Sequence, residues 1–168
     1  MQKPLPESLD FLKQVERNAR YDGTWPVRDL LRLKPGLLSD AGEIHARLAF
    51  TTRAGVPCLD GKVQADLELE CQRCLETVST HIEGGFHFGL VTSEAEMALL
   101  PAEFEPLLVS EGEQSLIDVI EDELILSLPI VPRHQHDCSQ LLNEQTTDST
   151  DSDTYRPFAG LKDMMTDS

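Results

Sequence analysis

A chain of 168 residues, 40% hydrophobic and 5% aromatic, can bury an aliphatic core without disulfide staples and suits one domain with an appended tail. No apolar run approaches the roughly 20 residues that span a bilayer, and MQKPLPESLDFLKQ has prolines and acids where a signal peptide needs a continuous apolar stretch, so a cytoplasmic protein is expected. The formal charge of -16 divides into +2 over residues 1–53 and -18 over residues 54–168, which disfavours phosphate contact beyond the N-terminal third and suits either a basic protein partner or solubility alone.

Residues 7–18, ESLDFLKQVERN, set Leu9, Leu12 and Val15 near helical spacing and predict a short amphipathic helix. Tyr21-Asp22-Gly23-Thr24 reads as its break. Pro26 opens a second short helix over VRDLLRLK, closed by Pro35-Gly36. Arg17, Arg20, Arg28, Arg32 and Lys34 lie in this region. They read either as solvated helix faces or as a phosphate-facing patch that would bind RNA directly.

From Glu43 the period changes to two: Ile44, Ala46, Leu48 and Phe50 alternate with His45, Arg47 and Ala49, as on a half-buried strand. Asp60-Gly61 reads as a turn into a second alternating strand, Val63 to Leu69, which delivers the chain to Cys71. Val78–Ile82 and Phe86–Val91 read as further strand interrupted by Gly84-Gly85. Residues 93–106 form an acidic helical or looped excursion, and Pro106–Val109 returns to the sheet.

Residues 115–128, SLIDVIEDELILSL, carry the strongest helical pattern, with a Ser115/Asp118 cap and Leu116, Ile117, Ile120, Leu124 and Leu128 on one side. Val119, Ile125 and Leu126 widen that stripe. Glu121, Asp122 and Glu123 are expected to face solvent together, as a docking surface for a partner. Residues 144–154, EQTTDSTDSDT, have no apolar side chain and predict disorder. Beyond them Phe158 and Leu161 form an apolar island suited to docking. The predicted organisation is therefore one α+β domain over 1–142, a disordered acidic linker over 143–154 and a docking tail over 155–168. The domain is an antiparallel sheet, or a partly closed barrel, packed by the helix at about 115–128 and flanked by short N-terminal helices.

Cys71-x-x-Cys74 is half of a tetrahedral zinc site, and HQHDC at 134–138 offers the complement. Cys71, Cys74, His134 and Cys138 would make a structural Cys3His centre, with His136 as an alternative ligand. Leu75 stands where zinc turns often carry glycine. A redox dithiol fits less well, because the pair follows an alternating strand between Glu70 and Glu76. Cys58 has no partner in sequence and reads as a small buried hydrophobe, and Trp25 as a core anchor. No nucleophile elbow, HExxH or phosphate-cradling glycine loop appears. A metal-dependent ribonuclease would need converging carboxylates, and consecutive helix positions fan out.

LELECQRCLETV, followed by DVIEDELILSLPIVPRH and a cysteine, resembles the YceD family of large ribosomal RNA subunit accumulation proteins. The likeness runs from MQKPLP to RPFAGLK and is most specific at Cys71-Gln72-Arg73-Cys74 and from Glu121 to Pro132. It implies a bacterial, noncatalytic factor for synthesis, processing or stability of large-subunit (23S) ribosomal RNA. Some relatives carry a further C-x-x-C-G after the position of Cys138, which this sequence lacks. With the charge distribution, the resemblance suggests an acidic adaptor for a basic ribosomal protein or an RNA-processing enzyme.

Overall fold

The computed structural model describes residues 3–139, and the expectations for 143–168, Phe158 and Leu161 included, lie outside the described residues. Six strands form a mixed sheet: β1 (Lys3–Pro4), β3 (Arg20–Pro26), β4 (Glu43–Arg53), β5 (Val56–Glu70), β6 (Thr77–Val91) and β7 (Glu105–Leu108), adjacent in that order. The long central pairs are antiparallel, as the alternation predicts, while β1 joins β3 and β7 joins β6 in parallel. Among the described residues the two edge strands do not meet, so the sheet is open and not a closed barrel. A small ladder joins β2 (Ser8–Leu9) to β8 (Gln114–Ser115). Of the second compact unit, 137–168, the described part is Asp137–Ser139, where the Ser139 N–H and hydroxyl both donate to the Asp137 carboxylate.

Among the described residues three α-helices accompany the strands: α1 (Phe11–Glu16), α2 (Glu94–Leu99) and α3 (Leu116–Ser127). α1 is shorter than the predicted 7–18. Asp10 caps it by accepting the Lys13 N–H, residues before the cap are drawn into the β2 ladder, and Asn18 at φ 48° ends it. The predicted break at 21–24 is instead β3, held by its ladder to β4 and by Trp25, whose indole N–H donates to the Leu5 carbonyl. The predicted second helix reduces to two single 3-10 turns, Val27–Asp29 and Lys34–Gly36. Its would-be helical N–H groups on Arg32 and Leu33 are taken by the Glu121 carboxylate, while Val27, Leu30 and Leu33 are buried.

Two glycine-based turn assignments are also corrected. Asp60-Gly61 lies inside β5, and the hairpin turns at Ala54-Gly55, both with positive φ. Gly61 is required by packing, since a Cβ there would stand 1.9 Å from Phe86 Cζ. β6 runs unbroken through Gly84-Gly85, where a Cβ on Gly84 would meet Ser127 Oγ at 2.5 Å as α3 crosses the sheet.

The core lies between the inner sheet face and α3, α1 and the 27–33 segment, with Phe11, Phe50, Leu59, Leu116, Ile120 and Leu124 fully buried. α3 keeps its predicted Ser115 cap and central stripe, but Ile125 and Leu126 are exposed, so the stripe is narrower than predicted. Each fully buried aliphatic side chain contributes on the order of 1.5–3 kcal/mol before ordering entropy is counted. Cys58 is buried as expected, its thiol near the Val56 carbonyl at 3.0 Å. No described helix is long and apolar enough to cross a membrane.

Candidate functional site

The turn between β5 and β6 places its two cysteines against the segment that follows α3. Cys71 N–H donates to the Glu76 carbonyl at 2.9 Å, and Leu75 N–H returns to the Cys71 carbonyl at 2.8 Å. The turn is fastened to the post-helix segment by Gln72 N–H on the Pro132 carbonyl at 2.9 Å. Arg73 reinforces this, donating to the carbonyls of His134 at 3.2 Å and of His136. His134 stands with Nδ1 3.5 Å from Cys74 Sγ and Nε2 3.1 Å from the Thr77 carbonyl. With its proton on Nε2, the carbonyl orients the ring and Nδ1 presents its lone pair to the cysteines.

Cys71 is fully buried. Burial pushes its thiol up, but backbone N–H groups of Cys74, His134 and Arg73 directed at the sulfur, with the Cys74 side chain, outweigh that and hold it at about 5. Cys71 is therefore a thiolate near neutrality, the form that ligates metal. Cys71, Cys74, His134 and Cys138 each offer one ligand atom, and these atoms lie within 4.8 Å of one another. Bond lengths of about 2.3 Å to sulfur and 2.0 Å to nitrogen put the edges of a zinc tetrahedron at roughly 3.5–3.8 Å. A small contraction of the cluster reaches that size, so three thiols and one imidazole fit zinc.

Leu75 has φ 63°, the left-handed conformation that favours glycine, and is 68% exposed. The turn therefore takes the zinc-knuckle shape despite its leucine. Leu75→Gly should raise stability by about 0.5–1 kcal/mol, since little packing is lost and the steric cost of the left-handed conformation disappears. Denaturant titration of the two proteins measures this, and a loss of stability would mean that the exposed leucine packs.

The N-terminal cations are not gathered on one patch. Arg32 pairs with Glu121 at 3.2 Å and Asp122 at 2.7 Å, Lys34 with Asp40 at 2.9 Å, and Arg28 with Asp29 at 3.9 Å. Arg17 is exposed at the C-terminal end of α1, while Arg20 stands on β3 at the outer sheet face. The predicted acidic trio is also divided. Glu121 is buried at 3% exposure and accepts the N–H groups of Arg32 and Leu33 at 2.6 and 2.9 Å. It holds a loop and does not face solvent. Asp122 is exposed and Glu123 half-buried. Desolvation first, then the charges of Glu105 and Asp122, raise the Glu123 carboxyl above its ordinary value.

Three outward cations, Arg47, Arg53 and Lys62, join Arg20 around a concavity of about 730 Å³. Their outward placement was legible from strand alternation, but their proximity depends on register. Arg47 is directly opposite Lys62 only because β4 and β5 pair about the Ala54-Gly55 turn.

The profile of the family described as Large ribosomal RNA subunit accumulation protein YceD matches residues 59–165, which include the cysteine turn and α3. The chain is 36% identical over 149 residues to the Large ribosomal RNA subunit accumulation protein YceD of Haemophilus influenzae, covering 86% of each chain. No solved structure matches it. With the family profile covering more than half of its length, this chain belongs to the YceD family of large ribosomal RNA subunit accumulation proteins.

Proposed function

We propose that this chain is a noncatalytic factor in the accumulation of large-subunit (23S) ribosomal RNA, and that it acts as an acidic adaptor for a basic ribosomal protein or an RNA-processing enzyme. The ribosomal RNA part rests on the names of the family and of its Haemophilus influenzae relative. The observation supporting the adaptor is charge segregation. Residues 74–132 contain 12 acidic side chains and no lysine or arginine. They supply β6, α2, β7 and α3, one side of the sheet order together with its covering helix. Like charges adjoin there: beyond the desolvation that chiefly raises the Glu123 carboxyl, the charges of Glu105 and Asp122 raise it further. A basic partner relieves that repulsion and is steered to the surface by its field.

The cysteine turn is proposed as a structural zinc centre held by Cys71, Cys74, His134 and Cys138. Bound zinc would supply a crosslink between the β5–β6 turn and the segment after α3, with no chemistry on a substrate.

The adaptor reading is tested by capturing the tagged chain from lysate in which RNA has been digested. A basic protein should be retained by the native chain and lost from a Glu103→Lys/Glu105→Lys variant, two exposed acids whose replacement leaves the core untouched. Absence of any retained partner, or retention unchanged by the charge reversals, would refute it.

A further inference from the structure

The outer face of the sheet, opposite the face covered by α3, carries a charge pattern at odds with the rest of the chain. Its register can be followed across four strands. Arg20 on β3 is opposite Ala49 on β4, which is opposite Asp60 on β5 and then His87 on β6. The next outward row runs Asp22, Arg47, Lys62, Gly85. Ala49 and Gly85 leave little side chain at the floor, and Arg53 stands at the end of β4. The result is a concavity of about 730 Å³ lined by four cations and two carboxylates, in a molecule of net charge -16.

The two carboxylates do not neutralise it. Asp22 is shared between Arg47 Nε at 3.2 Å and His45 at 2.7 Å, and Asp60 between Arg53 at 2.8 Å and His87. Arg20 and Lys62 are exposed and have no carboxylate partner among the described residues. Arg47 and Lys62 stand directly across an antiparallel pair, where like charges destabilise a sheet. An anion lying between them removes that cost. Arginine's planar fork matches phosphate oxygens, and one ring, the half-buried His87 stacked on Phe104, stands outward among the cations. A concave sheet face with unpaired cations suits single-stranded RNA, whose flexible backbone can follow the groove and meet them. Four strands spaced about 4.8 Å apart span roughly 15 Å, the reach of two or three nucleotides.

We infer that the concave outer face of β3–β6 binds single-stranded RNA through Arg20, Arg47, Arg53 and Lys62. The choice of RNA over another polyanion rests on the ribosomal RNA role proposed above. The acidic surface at Glu103 and Glu105 borders this concavity, since Phe104 between them stacks on His87 at 4.7 Å, so a partner bound there would crowd it. The test therefore uses purified full chain and no second protein.

Anisotropy of a labelled oligouridylate of roughly 12 nucleotides is measured over a salt series from about 50 to 200 mM. Binding should weaken with salt, and Arg47→Gln/Lys62→Gln should lower affinity at least about tenfold and reduce the log–log salt slope by about 1.4, the share of two single-strand phosphate contacts. The same variant should unfold at a nearly unchanged denaturant midpoint, because the like-charge pair it removes offsets the exposed Arg47–Asp22 ion pair it also loses. No binding at the lowest salt, or native affinity in the variant, overturns the inference whatever the capture experiment gives. So does equally tight binding of polyglutamate of matched charge, which would make the occupant an acidic peptide.

Discussion

Glu121→Ala should lower the stability of this chain by about 3 kcal/mol, as measured by denaturant titration. The carboxylate is buried within α3 and faces the loop that carries Leu33. It accepts the Arg32 N–H at 2.6 Å, the Leu33 N–H at 2.9 Å and Arg32 Nε at 3.2 Å. Alanine leaves the Leu33 N–H buried without a partner, and each such orphan costs on the order of 1–3 kcal/mol. The Arg32 head is half-exposed and keeps Asp122 and the Asp118 carbonyl, so its charge is not stranded. That puts the expected loss at the lower end of what breaking a buried ion pair costs, roughly 3–5 kcal/mol. Glu121→Gln retains a carbonyl acceptor and should recover part of the loss, whereas Asp122→Ala should cost less than about 1 kcal/mol as an exposed pair. Equal effects at 121 and 122 would mean that the buried carboxylate does not organise the 27–36 loop.

Protein prepared without chelators should carry stoichiometric zinc, and Cys71→Ser should abolish it and lower the thermal midpoint. Zinc at about 1,000 times its dissociation constant would stabilise the native state by about 4 kcal/mol. Metal analysis and thermal unfolding with and without a chelator measure both effects. A lowered thiol and an oriented His134 mean that little reorganisation is needed to load the site. Metal-free protein whose midpoint ignores both zinc and chelator would leave the cysteine turn held by its backbone hydrogen bonds alone.

The ligand set of the candidate metal site was readable in the sequence because its chemistry is local: two cysteines three apart, and a histidine and cysteine four apart. The orienting contacts were not. Arg73 on the carbonyls of 134 and 136, and Thr77 beneath His134, exist only because the chain returns to the β5–β6 turn after α3. The same separation governs Glu121, which looked like one member of an exposed acidic run. Its partners lie 88 and 89 residues away in sequence, and no periodicity reports on them.

By itself the sequence determined the α+β class, the long alternating strands, the capped α3, the burial of Trp25 and Cys58, and family membership, since these rest on periods, caps and motifs within short windows. Tertiary structure decided the rest. β3 formed where a break was predicted because its backbone groups found β4, and the second N-terminal helix was lost because a carboxylate from α3 took its N–H groups. Gly61 and Gly84 proved to be points of close packing and not turns. The cations split between ion pairs and the outer face because strand register, set at the Ala54-Gly55 turn, decides which side chains are neighbours. Local pattern is written in one stretch of chain, whereas pairing across a sheet or between a helix and a loop is decided by backbone groups that must be satisfied wherever the fold brings them.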